Sequence, residues 1–195
     1  GDADVSVAQV IASVAVTPGT PTLVSLGATI QLTATPKDAN GNPVTGQTAT
    51  WTSSDNGIAT VSGLGLLTAV ANGGPVTVTA TVGAFSGTAA ATVAQVVSTV
   101  DVTPGAATLI AVASTVQLTV APKDALGHPV LGQAVTWASS NSSIAMVGPT
   151  GLVPAMATGG PVTLTATVGG QSGTASVTVT PAVANVAVTP PTTTR

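Results

Sequence analysis

Thr50-Trp51-Thr52-Ser53-Ser54 returns as Thr136-Trp137-Ala138-Ser139-Ser140, and these two segments hold the only tryptophans of the chain. The offset of 86 positions, from 51 to 137, also carries Lys37-Asp38 onto Lys123-Asp124, Gly73-Gly74-Pro75 onto Gly159-Gly160-Pro161, and Ser86-Gly87-Thr88 onto Ser172-Gly173-Thr174. No insertion or deletion interrupts it. A fixed period of this length is the mark of a duplicated structural unit, so any fold must be one that one unit adopts and the next repeats. The offset also relates Val7-Ala8-Gln9-Val10 to Val93-Ala94-Gln95-Val96, and two such offsets relate Val186-Ala187-Val188 to Val14-Ala15-Val16. The expected organisation is therefore a tail strand at 1–10, a first repeat at 11–96, a second at 97–182, and at 183–195 the first strand of a following repeat, or a donor strand, with a Thr/Pro tail. The chain is expected to sample a longer array.

Each unit has the size of a small all-β sandwich. Period-2 alternation marks the strands: Ile30, Leu32 and Ala34 alternate with Gln31, Thr33 and Thr35, and Val76 to Val82 alternates valine or alanine with threonine. Val116, Leu118 and Val120, and Val162, Leu164 and Ala166, repeat the pattern. Asn40-Gly41 and its surroundings supply a tight turn, and no segment shows helical periodicity with a cap. The expected fold is all-β: two tandem immunoglobulin-like sandwiches of about seven short strands each, joined directly by the β-prone stretch 93–100, which lacks glycine and proline. Trp51 and Trp137 are expected in the core with Leu32, Leu118, Val78 and Leu164, because an indole offers the largest area to bury.

Only 5% of residues are charged, and the net charge is -3. Three Lys and Arg cannot form the basic cluster that nucleic acid requires, which excludes that partner class. No run reaches the roughly 18 apolar residues of a membrane span, so direct insertion is not expected. So few charges on a wet surface favour packing against neighbours, or a coat of sugar.

Several motifs recur in the same order with the same gaps: Val-x-Val-Thr-Pro at 14–18 and 100–104, Gln-Leu-Thr at 31–33 and 117–119, Asp-Ala-x-Gly at 38–41 and 124–127, Ile-Ala-x-Val at 58–61 and 144–147, and Ser-Gly-Thr-Ala at 86–89 and 172–175. With the tryptophan segments, they make the chain resemble the bacterial group 2 immunoglobulin-like domain in two full copies. The resemblance implies a surface or secreted repeat of the kind found in intimin- and invasin-like adhesins, other envelope proteins and phage structural proteins, with no activity of its own. Repeat two departs from the family-like pattern at Ala113, where repeat one has Gly27, and at Gly148-Pro149-Thr150-Gly151, where repeat one has Ser62-Gly63-Leu64-Gly65.

Candidate chemistry is sparse. His128 stands in a turn where repeat one has Asn42, and without a held orienting acid and a nucleophile it makes no catalytic constellation. No enzyme activity and no cofactor are expected. Asp38, Asn40 and Asn42 place oxygens at alternate positions, like the opening of a calcium loop, but lack its glycine and bidentate glutamate. Lys37 and Lys123 beside aspartates are candidates for an isopeptide bond, against an ordinary ion pair. Asn141-Ser142-Ser143 is a glycosylation triplet, and the threonine-rich strands and tail could carry O-linked sugar. Phe85, replaced by Gln171 in repeat two, is the one aromatic candidate for a ligand platform.

The expected role is a non-enzymatic extracellular or cell-surface repeat protein forming a rod, stalk, filament or sheath, whose partners are copies of itself or neighbouring repeats. Strand donation by 183–190 into a neighbour is one route to such contacts. An adhesin module for a surface receptor or glycan, and an accessory domain of a secreted enzyme, are the alternatives.

Overall fold

The structure, a computed structural model, describes residues 9–181. Residues 1–8 of the expected tail strand at 1–10, and the segment 183–195, lie outside the described residues. Contact density divides the chain into two compact units, one formed by 1–96 with 123–130 and the other by 97–122 with 131–195.

The first repeat contains β1 (Ser13–Thr17), β2 (Thr22–Leu23), β3 (Thr29–Gln31), β4 (Thr33–Lys37), β5 (Thr50–Ser53), β6 (Ala59–Val61), β7 (Leu66–Ala69), β8 (Gly73–Val82) and β9 (Phe85–Val93). One sheet has the order β2-β9-β8-β5, and facing it are β3-β7-β6 and the pair β1-β4. All pairs are antiparallel except β2 with β9, which aligns Leu23 with Val93. The second repeat contains β10 (Thr99–Thr103), β11 (Ala106–Leu109), β12 (Thr115–Gln117), β13 (Thr119–Lys123), β14 (Thr136–Ser139), β15 (Leu152–Pro154), β16 (Gly159–Val168) and β17 (Gln171–Val179). Its sheets are β11-β17-β16-β14, β12-β15 and β10-β13. The expected all-β sandwiches are present, and no helix occurs among the described residues.

Alternation settles which face is dry. In β8, Val76, Val78, Ala80 and Val82 are buried, and Val78, Ala80 and Val82 share one core cluster with Leu32, Leu67 and Ala59. In β16, Val162, Leu164, Ala166 and Val168 are buried, with Leu118 and Val153 in the facing layer. Burying one such valine or leucine is worth about 1.5–3 kcal/mol. The tryptophans differ from expectation. Leu32, Leu118, Val78 and Leu164 are fully buried, whereas Trp51 and Trp137 are partly buried and pack against the flank of the core. Each lies in a four-residue strand at the edge of its sheet, where no further strand covers the indole.

Three other departures from simple alternation have local causes. The expected strand 30–35 breaks at Leu32, because β3 pairs with β7 while β4 pairs with β1. At the switch the Leu32 amide bonds the Gly65 carbonyl at 2.9 Å. Gly73-Gly74-Pro75, which precedes the alternating run expected at 76–82, forms the start of β8. Between Gly73 and Val76 the register slips, leaving one extra residue as a bulge. A Cβ on Gly74 would stand 2.8 Å from the Ala91 carbonyl, so only glycine lets the bulge lie against β9. Repeat two also lacks a counterpart of β6. Along β7 the Ala69 amide turns to Ala28 and the next, at Val70, to Ile58, so by alternation the Thr68 amide faces β6. Pro154 occupies that position in β15 and has no N–H to give. Of the second ladder only the bridge Ala145↔Ala155 remains.

Two glycines per repeat hold the layers together. Gly65 and Gly151 have φ of +81°, and a Cβ at Gly65 would strike the Leu32 carbonyl at 2.6 Å and the Trp51 ring at 2.9 Å. Gly87 and Gly173, from the recurring Ser-Gly-Thr-Ala, lie where a Cβ would collide with the carbonyls of Val14 and Val100.

Replacing Pro154 by Thr should restore amide pairing to 145–147 and raise the stability of the second repeat by roughly 0.5–1.5 kcal/mol, read by hydrogen exchange and chemical denaturation. Gly65→Ala and Gly151→Ala should each destabilise their own repeat by about 2 kcal/mol or more, with a changed tryptophan emission. Equal stability of the glycine variants and the parent would contradict the close packing.

Candidate functional site

Polar groups with a defined environment gather at the turns. In the first repeat Asp38 Oδ1 accepts the amides of Asn40 at 2.9 Å and Asn42 at 2.8 Å, while Oδ2 accepts Asn42 Nδ2 at 3.2 Å and Gln9 Nε2 at 3.4 Å. The carboxylate thus closes its own turn, as a short acidic side chain does when it bonds backbone two and four residues on. The Asn42 amide, chiefly, holds the Asp38 pKa below the ordinary carboxylate value. Asn40 contributes its backbone to this arrangement, and Asn42 both backbone and side chain. No group of three or more His, Cys, Asp or Glu able to hold a metal ion occurs among the described residues.

Asp124 occupies the equivalent place in the turn 123–130, which belongs to the first compact unit. Oδ1 repeats the turn closure, accepting the amides of Leu126 at 2.9 Å and His128 at 3.0 Å. Oδ2 accepts the Leu26 amide at 3.0 Å and Gln95 Nε2 at 2.9 Å. Gln95 is itself fixed, since its amide and side chain bond both ends of the Asn72 carboxamide at 2.8 Å. Asp124 is 2% exposed, one of two buried polar residues among those described. Burial works to raise its pKa, but the donors from Gln95, Leu26, His128 and Leu126 prevail and hold it at about 2. Sequence comparison missed this difference, because Asp38 and Asp124 sit in equal motifs. The available signals were Gln9 and Gln95, which share the same offset, and the larger Leu126 and His128 in place of Asn40 and Asn42.

His128 Nδ1 is 3.6 Å from Asp124 Oδ1, and its side chain is half exposed. The acid beside it is committed to four amide donors, so the pair has the makings of a turn and not of a catalytic relay. Asn141 is exposed, and its Oδ1 accepts the Ser143 amide at 3.1 Å. Asp55 does the same for Gly57 at 2.8 Å in the first repeat, so capping is the role both residues share. Asn141 alone of the two carries an amide to which sugar could be attached.

Beside each tryptophan lies an open groove of about 320 Å³. The first is lined by Gln31, Ala34, Thr48, Trp51 and Leu64 among others, the second by Gln117, Val120, Trp137 and Pro149. Gln31 and Gln117 spend their side-chain amides on carbonyls, Leu32 with Leu64 and Leu118 with Thr150. Phe85 is partly exposed at the start of β9.

Because the folded Asp124 pKa is depressed, its contribution to stability is complete above the ordinary value of 3.8 and is lost as pH falls toward about 2. Thermal melting of the first unit should therefore fall across that window. Asp124→Asn should lower the melting temperature at neutral pH and flatten the acid dependence, whereas Asp38→Asn, at an exposed turn, should change both much less. An unaltered acid profile in Asp124→Asn would contradict this assignment.

Among solved structures, the chain is similar to domains 1–6 of the surface layer protein SbsC, with 22% identity, a TM-score of 0.43, and coverage of 90% of this chain and 28% of that one. It is also similar to SbsC domains 5–6, with 25% identity, a TM-score of 0.39, and coverage of 88% and 98%. The Escherichia coli adhesin FdeC gives 20% identity, a TM-score of 0.39, and coverage of 86% and 63%. The chain spans less than a third of the length of the first of these. No curated protein matches it. The family model of the bacterial Ig-like domain (group 2) matches residues 10–93 and again 96–179. Two consecutive matches cover most of the sequence, and the chain belongs to the bacterial Ig-like domain (group 2) family.

Proposed function

We propose that this chain is a non-enzymatic structural segment of an extracellular or cell-surface protein, a tandem spacer that contributes to a rod, stalk, filament or sheath. The observation that carries the reading is the residue-by-residue recurrence of one sandwich. Every strand of the first repeat except β6 has a counterpart 86 positions on, including the bulge at Gly73 and its equal at Gly159. A chain that duplicates its framework, while its turn residues serve mainly to close turns, is built to set a distance between what it connects. The joining segment supports this. Residues 94 and 96 bond their amides to the Leu23 and Val24 carbonyls, so the chain leaves the first repeat as part of its hydrogen-bonded structure. Partners of this reading are further repeats or copies of the same chain.

A binding role for the two tryptophan grooves is the second reading, favoured by their recurrence at equal positions. Neutral glycans are the matching ligand class, since no charged residue lines either groove. Titration with a glycan panel, followed by tryptophan fluorescence, separates the readings: a saturable shift that Trp51→Ala and Trp137→Ala remove supports an adhesin.

Removing residues 183–195 should leave the length and assembly state of the particle unchanged in electron micrographs, whereas adding one repeat should lengthen it by a constant increment. Assembly that disappears on removal of 183–195 would instead establish donation of that segment to a neighbour.

A further inference from the structure

The first repeat contains three Asn-Gly pairs, at 40–41, 56–57 and 72–73, and the second contains none, having Leu126-Gly127, Ser142-Ser143 and Thr158-Gly159 at the same places. Asparagine followed by glycine is the pair most prone to loss of its amide, because no side chain shields the following backbone nitrogen. We propose that Asn40 is a site of spontaneous deamidation, and that the three pairs react in the order Asn40, Asn56, Asn72.

In this reaction the Gly41 nitrogen, after losing its proton, attacks Asn40 Cγ. A C–N bond forms, the Cγ–Nδ2 bond breaks and ammonia leaves. Water then opens the resulting five-membered imide at either carbonyl, giving aspartate or isoaspartate. Two requirements set the rate: the carboxamide must be free to swing onto the next nitrogen, and that nitrogen must be able to give up its proton.

The three sites differ on both counts. Asn72 is held at both ends, its Nδ2 donating to Gln95 Oε1 and its Oδ1 accepting the Gln95 amide, each at 2.8 Å. Its Gly73 lies in β8, where a Cβ would meet Ile58 at 2.8 Å, so little space remains for the rearrangement. Asn56 is exposed, but the Gly57 amide donates to Asp55 Oδ1 at 2.8 Å, and a carboxylate acceptor keeps the proton on the nitrogen. At Asn40 the Gly41 amide donates only to the neutral Asp38 carbonyl, at 3.0 Å. Gly41 has open space where a Cβ would be, and both residues are exposed. The Asn40 carboxamide, like that of Asn56, has no hydrogen bond among the described residues, so Asn40 alone of the three joins a free carboxamide to a following amide held only by a neutral carbonyl.

Conversion has a local consequence. An aspartate at 40 places a second carboxylate two residues from Asp38, and an isoaspartate lengthens the backbone inside the turn that Asp38 Oδ1 closes through the Asn40 and Asn42 amides. The first repeat thus ages at a turn that the second repeat builds with Leu126.

The test is to hold the intact chain in mildly alkaline buffer at physiological temperature and follow its peptides by mass spectrometry. The expected result is a gain of about one dalton, with isoaspartate formed, first in the peptide bearing Asn40 and at least roughly tenfold faster there than at Asn72. Asn40→Gln should remove the earliest gain while leaving the slower ones. If Asn56 or Asn72 leads, or if Asn40 stays intact while the urea-unfolded chain reacts there, the inference is overturned.

Discussion

Each sandwich depends on one contact, the apolar face of its longest strand against the facing layer. Val78, Ala80 and Val82 in β8 share one core cluster with Leu32 and Leu67, and Val162 and Leu164 in β16 share another with Leu118 and Val153. No disulfide shares the task, because the chain has no cysteine. The small alanines and the glycines at 65, 87, 151 and 173 matter for the same reason. They let backbone approach backbone and ring, so that a core made of modest side chains still closes without voids.

The period, the all-β architecture and the dry faces were legible in the sequence, because alternation of valine with threonine is imposed by the pleat itself. What escaped is where one element serves two partners. The break at Leu32 follows from β3 and β4 belonging to different pairings, a tertiary fact that leaves no mark on the local pattern. The loss of β6 in repeat two was written as Pro154, yet its meaning required knowing which way the amide at that position points. The tryptophans were expected at the centre by reason of size, but the short strands that carry them lie at sheet edges, and buried leucines take the middle. Asp38 and Asp124 were equal as letters and differ in what lies against them.

The chemistry of the described residues is conservative in kind. Its carboxylates at 38, 55 and 124, its amide at Asn141 and its glutamines at 31 and 117 are spent largely on backbone donors and acceptors, and Gln95 ties the side chains of Asn72 and Asp124 together. Such residues secure loops on a surface with few charges. What is repeated is a framework: the copies exchange core residues of like kind, Leu67 for Val153 and Val78 for Leu164, and change the character of residues at the turns, Asn40 for Leu126 and Asn42 for His128.

The parallel pairing of β2 with β9, and of β11 with β17, has a bearing on synthesis. It joins residues near the beginning of a repeat to residues some seventy positions later, as in the alignment of Leu23 with Val93. A repeat emerging from the ribosome or a secretion channel cannot close its sheet until its final strand has appeared, and the first repeat gains the turn that carries Asp124 only later. Maturation then proceeds one repeat at a time in the direction of translation, which limits the interval in which two neighbours of the same fold are both unfolded and able to exchange strands.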